Sequence, residues 1–138
     1  MENEKKELQD RILAYRIFES RLNALMRQRE LIVNKIVEIN STLESINEIE
    51  KSDEALFSIG SEAYAKGRIT DKERIIIEIG ANIALEKNMK EAKETLEKRK
   101  EELEKSLAQI EEEAIKISSG LNSLAEEIRE LSKKVEHV

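Results

Sequence analysis

Cysteine, proline and tryptophan are absent from these 138 residues, and phenylalanine and tyrosine number only two each. Without cysteine no disulfide framework can form, in keeping with a reducing compartment. Without proline, helices can run unbroken, since one internal proline costs about 3 kcal/mol. The scarcity of aromatics removes stacking platforms for nucleic acid, and the net charge of −6, with both signs interspersed, gives no long-range attraction to phosphates. No nucleic-acid partner is expected. The longest apolar run is four residues, Ile12 to Tyr15, against about 20 for a bilayer span. The first six residues lead into no signal-like stretch, so a cytoplasmic protein without a membrane partner is expected. His137 is the single histidine, and the carboxylates are spread along helical surfaces with no concave site to gather them. Neither a catalytic residue, nor a metal site, nor a cofactor is expected, and the chain reads as a non-enzyme.

What is present is charge and helical periodicity. Charged residues make up 39% of the chain, a coiled-coil composition. A first arm is predicted over residues 5–51. Its seam takes Leu8, Tyr15, Leu22, Arg29, Ile36 and Leu43 at one heptad position and Arg11, Phe18, Leu25, Ile32, Ile39 and Ile46 at the other. Ten of those twelve are apolar, twice what random placement would give. A second arm is predicted over residues 88–136. Met89, Leu96, Leu103, Ile110, Ile117, Leu124, Leu131 and Val138 hold one position of its seam. Lys93, Lys100, Leu107, Ala114, Leu121, Ile128 and Val135 hold the other. Asn88 followed by Glu91 marks its start as a capping pattern. Arms of equal length around a short insert favour an antiparallel hairpin, left-handed in supercoil because the heptad is kept strictly. Leu8 and Ile12 then meet Leu131 and Val135.

Between the arms the period changes from helix to strand. Every odd position from Ile75 to Leu85 is apolar, namely Ile75, Ile77, Ile79, Ala81, Ile83 and Leu85, and period two over that length predicts strand. Phe57, Ile59, Ala63 and Ala65 repeat the pattern more weakly ahead of a turn at Lys66-Gly67-Arg68. Four strands are placed near residues 55–60, 62–66, 73–79 and 81–86. A pair of hairpins with an uncovered apolar face is marginal in water, and open edges invite another chain to pair. The insert, residues 55–86, is therefore expected to be an assembly site. The apolar face could also pack on the chain's own arms. The whole of 1–138 reads as a single domain, mainly α: a two-helix coiled-coil hairpin with a four-strand insert.

The insert also carries local sequence. Leu56-Phe57-Ser58-Ile59-Gly60 precedes Ser61-Glu62-Ala63-Tyr64-Ala65-Lys66, and after Ile69-Thr70-Asp71 come Ile75-Ile76-Ile77-Glu78-Ile79-Gly80 and Ala81-Asn82-Ile83-Ala84-Leu85-Glu86-Lys87. This order resembles the alpha class of prefoldin, archaeal in type, although Ser58 stands where that family often has proline and Glu62 where it usually has small residues. The resemblance implies an ATP-independent holdase chaperone subunit. Two alpha chains and four beta-class chains would form a hexamer whose inserts build an intersubunit β-barrel. Unfolded clients would be held at the coiled-coil tips and passed to a group II chaperonin. The assembly residues would be Phe57, Ile59, Ala63, Ala65, Ile75, Ile77, Ile79, Ile83 and Leu85. The tip residues would be Leu8, Ile12, Tyr15, Ile128, Leu131 and Val135, where fraying leaves side chains unpaired and burial of one is worth about 1.5–3 kcal/mol.

The alternative to the chaperone is a structural or filament-forming protein in which the same insert joins copies end to end. A further rival, an arm docking on ribosome or tRNA, is opposed by the acidic balance. Arg29 breaks the first seam and is expected to reach solvent and pair with Glu111 or Glu113. Gly120, inside the second arm, costs about 1 kcal/mol relative to alanine and is either a flex point or tolerated wear.

Overall fold

The computed structural model describes residues 2–136; Met1, His137 and the predicted seam position Val138 lie outside the described residues. The order is α1 (Glu2–Lys51), β1 (Glu54–Gly60), β2 (Ala63–Arg68), β3 (Ile75–Gly80), β4 (Ile83–Lys87) and α2 (Met89–Glu136). The class is the expected one: mainly helical, with four strands in two antiparallel hairpins. Neither glycine nor proline interrupts the 50 residues of α1, which is why one helix runs that far. The chain divides into two compact units, residues 34–104 and residues 1–33 with 105–138.

In the second of these units the helices pair antiparallel. Arg11 Nε donates to Glu127 Oε2 at 2.7 Å and Arg29 Nε to Glu111 Oε1 at 3.2 Å. Both arginines interrupt the seam, and each reaches a glutamate of the opposite helix, so Arg29 pairs as its sequence position predicts. At half-exposed surface such pairs are worth about 0–1 kcal/mol. Ile110, Ala114 and Ile117 are buried, all at seam positions. Gly120 has a packing reason that its sequence did not disclose. A Cβ there would lie 2.6 Å from the Phe18 ring, so the glycine makes the hollow into which that ring fits.

In the unit of residues 34–104 the core joins both helices to one hairpin. Ile39 and Ile46 of α1, Ala92 and Leu96 of α2 and Ile77 of β3 form one buried cluster, with Leu43, Ile75 and Leu103 packed against it. Lys93, another break in the seam, pairs with Glu50 at 2.6 Å. The start of α2 is capped as predicted: Asn88 Oδ1 accepts from the Glu91 N–H at 2.8 Å. Arg99 of α2 donates to the carbonyl of Glu78 at 2.7 Å, tying β3 to the helix.

The two hairpins are built alike. β1 pairs β2 with Phe57 opposite Ala65, and β3 pairs β4 with Ile77 opposite Leu85. Each register shifts just before its turn, between Ser58 and Gly60 and between Glu78 and Gly80. Gly60 and Gly80 sit there at φ of +105° and +107°, which glycine adopts without strain. The turn residues Ser61, Glu62, Ala81 and Asn82 all have positive φ between 47° and 61°. That is the two-residue turn whose twist suits a hairpin, made without the usual Asn-Gly. The shared plan is legible as Phe57-Ser58-Ile59-Gly60 recurring twenty residues on as Ile77-Glu78-Ile79-Gly80.

Candidate assembly surface and helix-end seam

The strands alternate, so each hairpin presents two faces. The odd face of β1–β2 holds Phe57, Ile59, Ala63 and Ala65; that of β3–β4 holds Ile75, Ile77, Ile79, Ile83 and Leu85. All nine are the predicted assembly residues, but the structure divides them. Ile77 is buried and Ile75 half-buried against the chain's own helices. For these two the covering comes from α1 and α2, as the alternative reading of the apolar face anticipated. The other seven remain exposed: Phe57 at 43%, Ile59 at 70%, Ile79 at 48%, Ile83 at 53% and Leu85 at 43%, with Ala63 and Ala65 open as well.

The opposite faces add residues outside the odd-numbered set. Leu56, Tyr64 and Ile76 are each more than half exposed. In all, eight large apolar side chains lie open between Leu56 and Leu85, and dense exposed apolar surface is the kind of feature that accompanies interaction sites. The backbone agrees. The sheets are two separate pairs, β1–β2 and β3–β4, so every strand keeps one unpaired edge.

The hairpins differ in how they are held. Besides burying Ile77, the second is fastened by Arg99. The first buries no side chain. Its base is held by polar contacts: the Ile69 N–H donates to the Asp53 carbonyl at 2.9 Å, and Lys72 Nζ meets Asp53 Oδ1 at 2.7 Å. The hydrogen bond that Lys72 donates to the carboxylate and the Lys72 charge, with Arg68 adding to the field, hold the Asp53 carboxyl below the ordinary carboxylate range. Phe57 folds over Gly67, whose added Cβ would lie 2.7 Å from the ring. A cleft lined by Ile49, Ala55, Leu56, Phe57 and Ile69 is left beside the end of α1.

At the terminal ends of the helices the predicted contact residues Leu8, Ile12, Tyr15, Ile128, Leu131 and Val135 are all half-buried. The seam is present there, yet none of the six is closed off as Ile39 or Ile46 is. A shallow groove beside Leu131 is rimmed by Glu7, Arg11, Glu126, Glu127 and Glu130. Among the described residues no group of three or more His, Asp or Glu side chains is placed to hold a metal, and no helix is long and apolar enough to cross a membrane.

The family model described as prefoldin subunit matches residues 18–134. Prefoldin subunit alpha of Methanopyrus kandleri is 36% identical over 70 residues, 49% of this chain and 45% of that protein, so this match spans about half of either. Prefoldin subunit alpha of Pyrococcus horikoshii is 26% identical over 138 residues, 97% of this chain and 93% of the relative. A filamentous PFD from Methanocaldococcus jannaschii, solved by cryo-electron microscopy, superposes with a TM-score of 0.68 at 17% identity, over 86% of this chain and 98% of that one. At that identity the likeness is one of fold.

Proposed function

The chain belongs to the prefoldin family, and from that premise we propose that it is an alpha-class subunit of an ATP-independent holdase chaperone. The alpha class fits the count of four strands and the names of the relatives. In this reading the hairpins join those of beta-class subunits in a hexamer of two alpha and four beta chains. The helix ends grip non-native polypeptides and release them to a group II chaperonin without nucleotide hydrolysis. The observation that carries it is the pair of two-stranded sheets with free edges and eight exposed large apolar residues. Such hairpins are marginal alone and gain most by pairing with neighbours.

Client holding rests on Leu8, Ile12, Tyr15, Ile128, Leu131 and Val135. Each offers a part of its apolar surface, so one contact is weak, but several arms acting on one chain raise the avidity by effective concentration. Serine at Leu8, Ile12, Leu131 and Val135 together is expected to leave the oligomer's mass unchanged and abolish suppression of client aggregation. Undiminished suppression would refute the role of these ends. Stoichiometry tests the assembly. Mixed with beta-class chains, the protein is expected to give one discrete heterohexamer by native mass spectrometry. A polydisperse homopolymer that ignores those chains would favour a filament-forming role instead.

A further inference from the structure

Nine arginines are spread along the chain. Arg11, Arg29, Arg68, Arg74 and Arg129 pair with carboxylates, and Arg99 is bound to a backbone carbonyl. Among the described residues only Arg16, Arg21 and Arg27 have no such partner. All three lie in one stretch of α1, away from its seam.

Beside them stand apolar side chains that the coiled coil does not use. Leu13 is 58% exposed, Ile17 51% and Leu31 71%. At the 3.5 residues per turn of a heptad coiled coil, Leu13 and Arg27 fall on one row of the helix surface, and Ile17, Ala24 and Leu31 on the next. Arg16 borders the first row and Arg21 the second. From Leu13 to Leu31 this face runs about 27 Å and carries no carboxylate. Glu19 and Glu30 follow Arg16 and Arg27 by three residues, but around the flank, and neither closes an ion pair. The order, cation before anion, is also the weaker one on a helix. A chain of net charge −6 thus displays a face that is apolar and wholly cationic.

We propose that the outward face of α1 between Leu13 and Leu31 docks an acidic amphipathic helix of a partner protein. Its apolar residues would cover Leu13, Ile17 and Leu31 while its carboxylates meet Arg16, Arg21 and Arg27. Charge complementarity selects the occupant. Guanidinium groups form forked, directional bonds with carboxylates, and the aligned apolar rows match a helix laid alongside. A phosphate backbone would leave the three apolar side chains without a partner. A bilayer surface demands a broader apolar face, with larger residues, than three aliphatic side chains provide.

The test uses the full chain in its native oligomer and a labelled peptide of about 20 residues, leucine and glutamate only, with leucines spaced i, i+4, i+11 and i+18. Fluorescence anisotropy should show saturable binding that weakens as salt rises from about 50 to about 500 mM. Arg16→Ala with Arg27→Ala is expected to weaken it about tenfold, and Leu13→Ser with Leu31→Ser by a similar factor, with helix content unchanged by circular dichroism. Lys116→Ala, on α2, should leave the affinity as it was. Three results would overturn the proposal: equal binding by both double variants, equal binding of a peptide with glutamine for glutamate, or retention on phosphatidylserine vesicles with no binding of the peptide.

Discussion

The first and second hairpins share strand length, register shift and turn, yet only one of them is bolted to the protein. Twenty residues apart, Phe57 and Ile77 occupy the same place in the same local structure. Ile77 is 7% exposed in a core with Ile39, Ile46, Ala92 and Leu96, while Phe57 is 43% exposed and lies over Gly67. A hairpin's sequence therefore decides its fold, and what it meets decides its stability. The second hairpin meets the helices of its own chain. The first meets only its polar base, so its apolar residues stay exposed in this chain, and in the proposed assembly they would be covered by another subunit.

The largest effects should separate these two positions. Ile77→Ala removes a buried side chain and is expected to destabilise the dissociated chain by about 2–3 kcal/mol in urea denaturation. Phe57→Ala should cost it under about 1 kcal/mol, since the ring is largely outside the core. In the assembled oligomer the Phe57→Ala cost should rise to match that of Ile77→Ala; equal small costs in both states would break the comparison.

The shared turn gives the next effect. Gly60→Ala and Gly80→Ala meet open space but force alanine to positive φ, at about 1–2 kcal/mol each. If the hairpins are true duplicates, both substitutions cost the same. In the first turn, Ser61-Glu62 replaced by Asn-Gly should stabilise that hairpin by about 0.5–1 kcal/mol, read as slower hydrogen exchange in residues 54–68.

Arg99→Ala loses the bond to the Glu78 carbonyl, a contact near the surface and worth about 0.5–1.5 kcal/mol. Exchange should quicken in residues 75–87 and not in 54–68. The smallest effect is in pH. Because the folded state holds the Asp53 carboxyl low, its pairing with Lys72 contributes at neutral pH and is lost as pH falls through that depressed value. Lys72→Ala should return the carboxyl toward its ordinary range in an NMR titration and remove that acid dependence from the first hairpin alone.

Much of this was legible beforehand. The heptad seam specified both helices, the equal arms around a short insert their antiparallel pairing, and of the two partners expected for Arg29 the structure selects Glu111. Strand bounds followed to within two residues from the alternating apolar positions, but the turn expected at Lys66-Gly67-Arg68 lies inside β2, where Gly67 makes room for the Phe57 ring. What stayed hidden depends on what lies across a gap. Gly120 reads as a defect until Phe18 is seen facing it. Ile77 and Ile79 look equivalent until the helices cover one of them. Leu56, Tyr64 and Ile76 stand at positions an alternating pattern gives to solvent, which is true for this chain by itself. The turn residues carry no Asn-Gly signal, and the three free arginines on α1 are diluted in an evenly charged sequence until other arginines are seen to be paired.

Hydrogen exchange over residues 54–68, in the chain by itself and after mixing with beta-class subunits, reaches the central claim most directly. The account predicts that these amides exchange freely alone and become protected on assembly, at the unpaired edges first. Protection that is already complete in the lone chain, or that never develops in the complex, would contradict it.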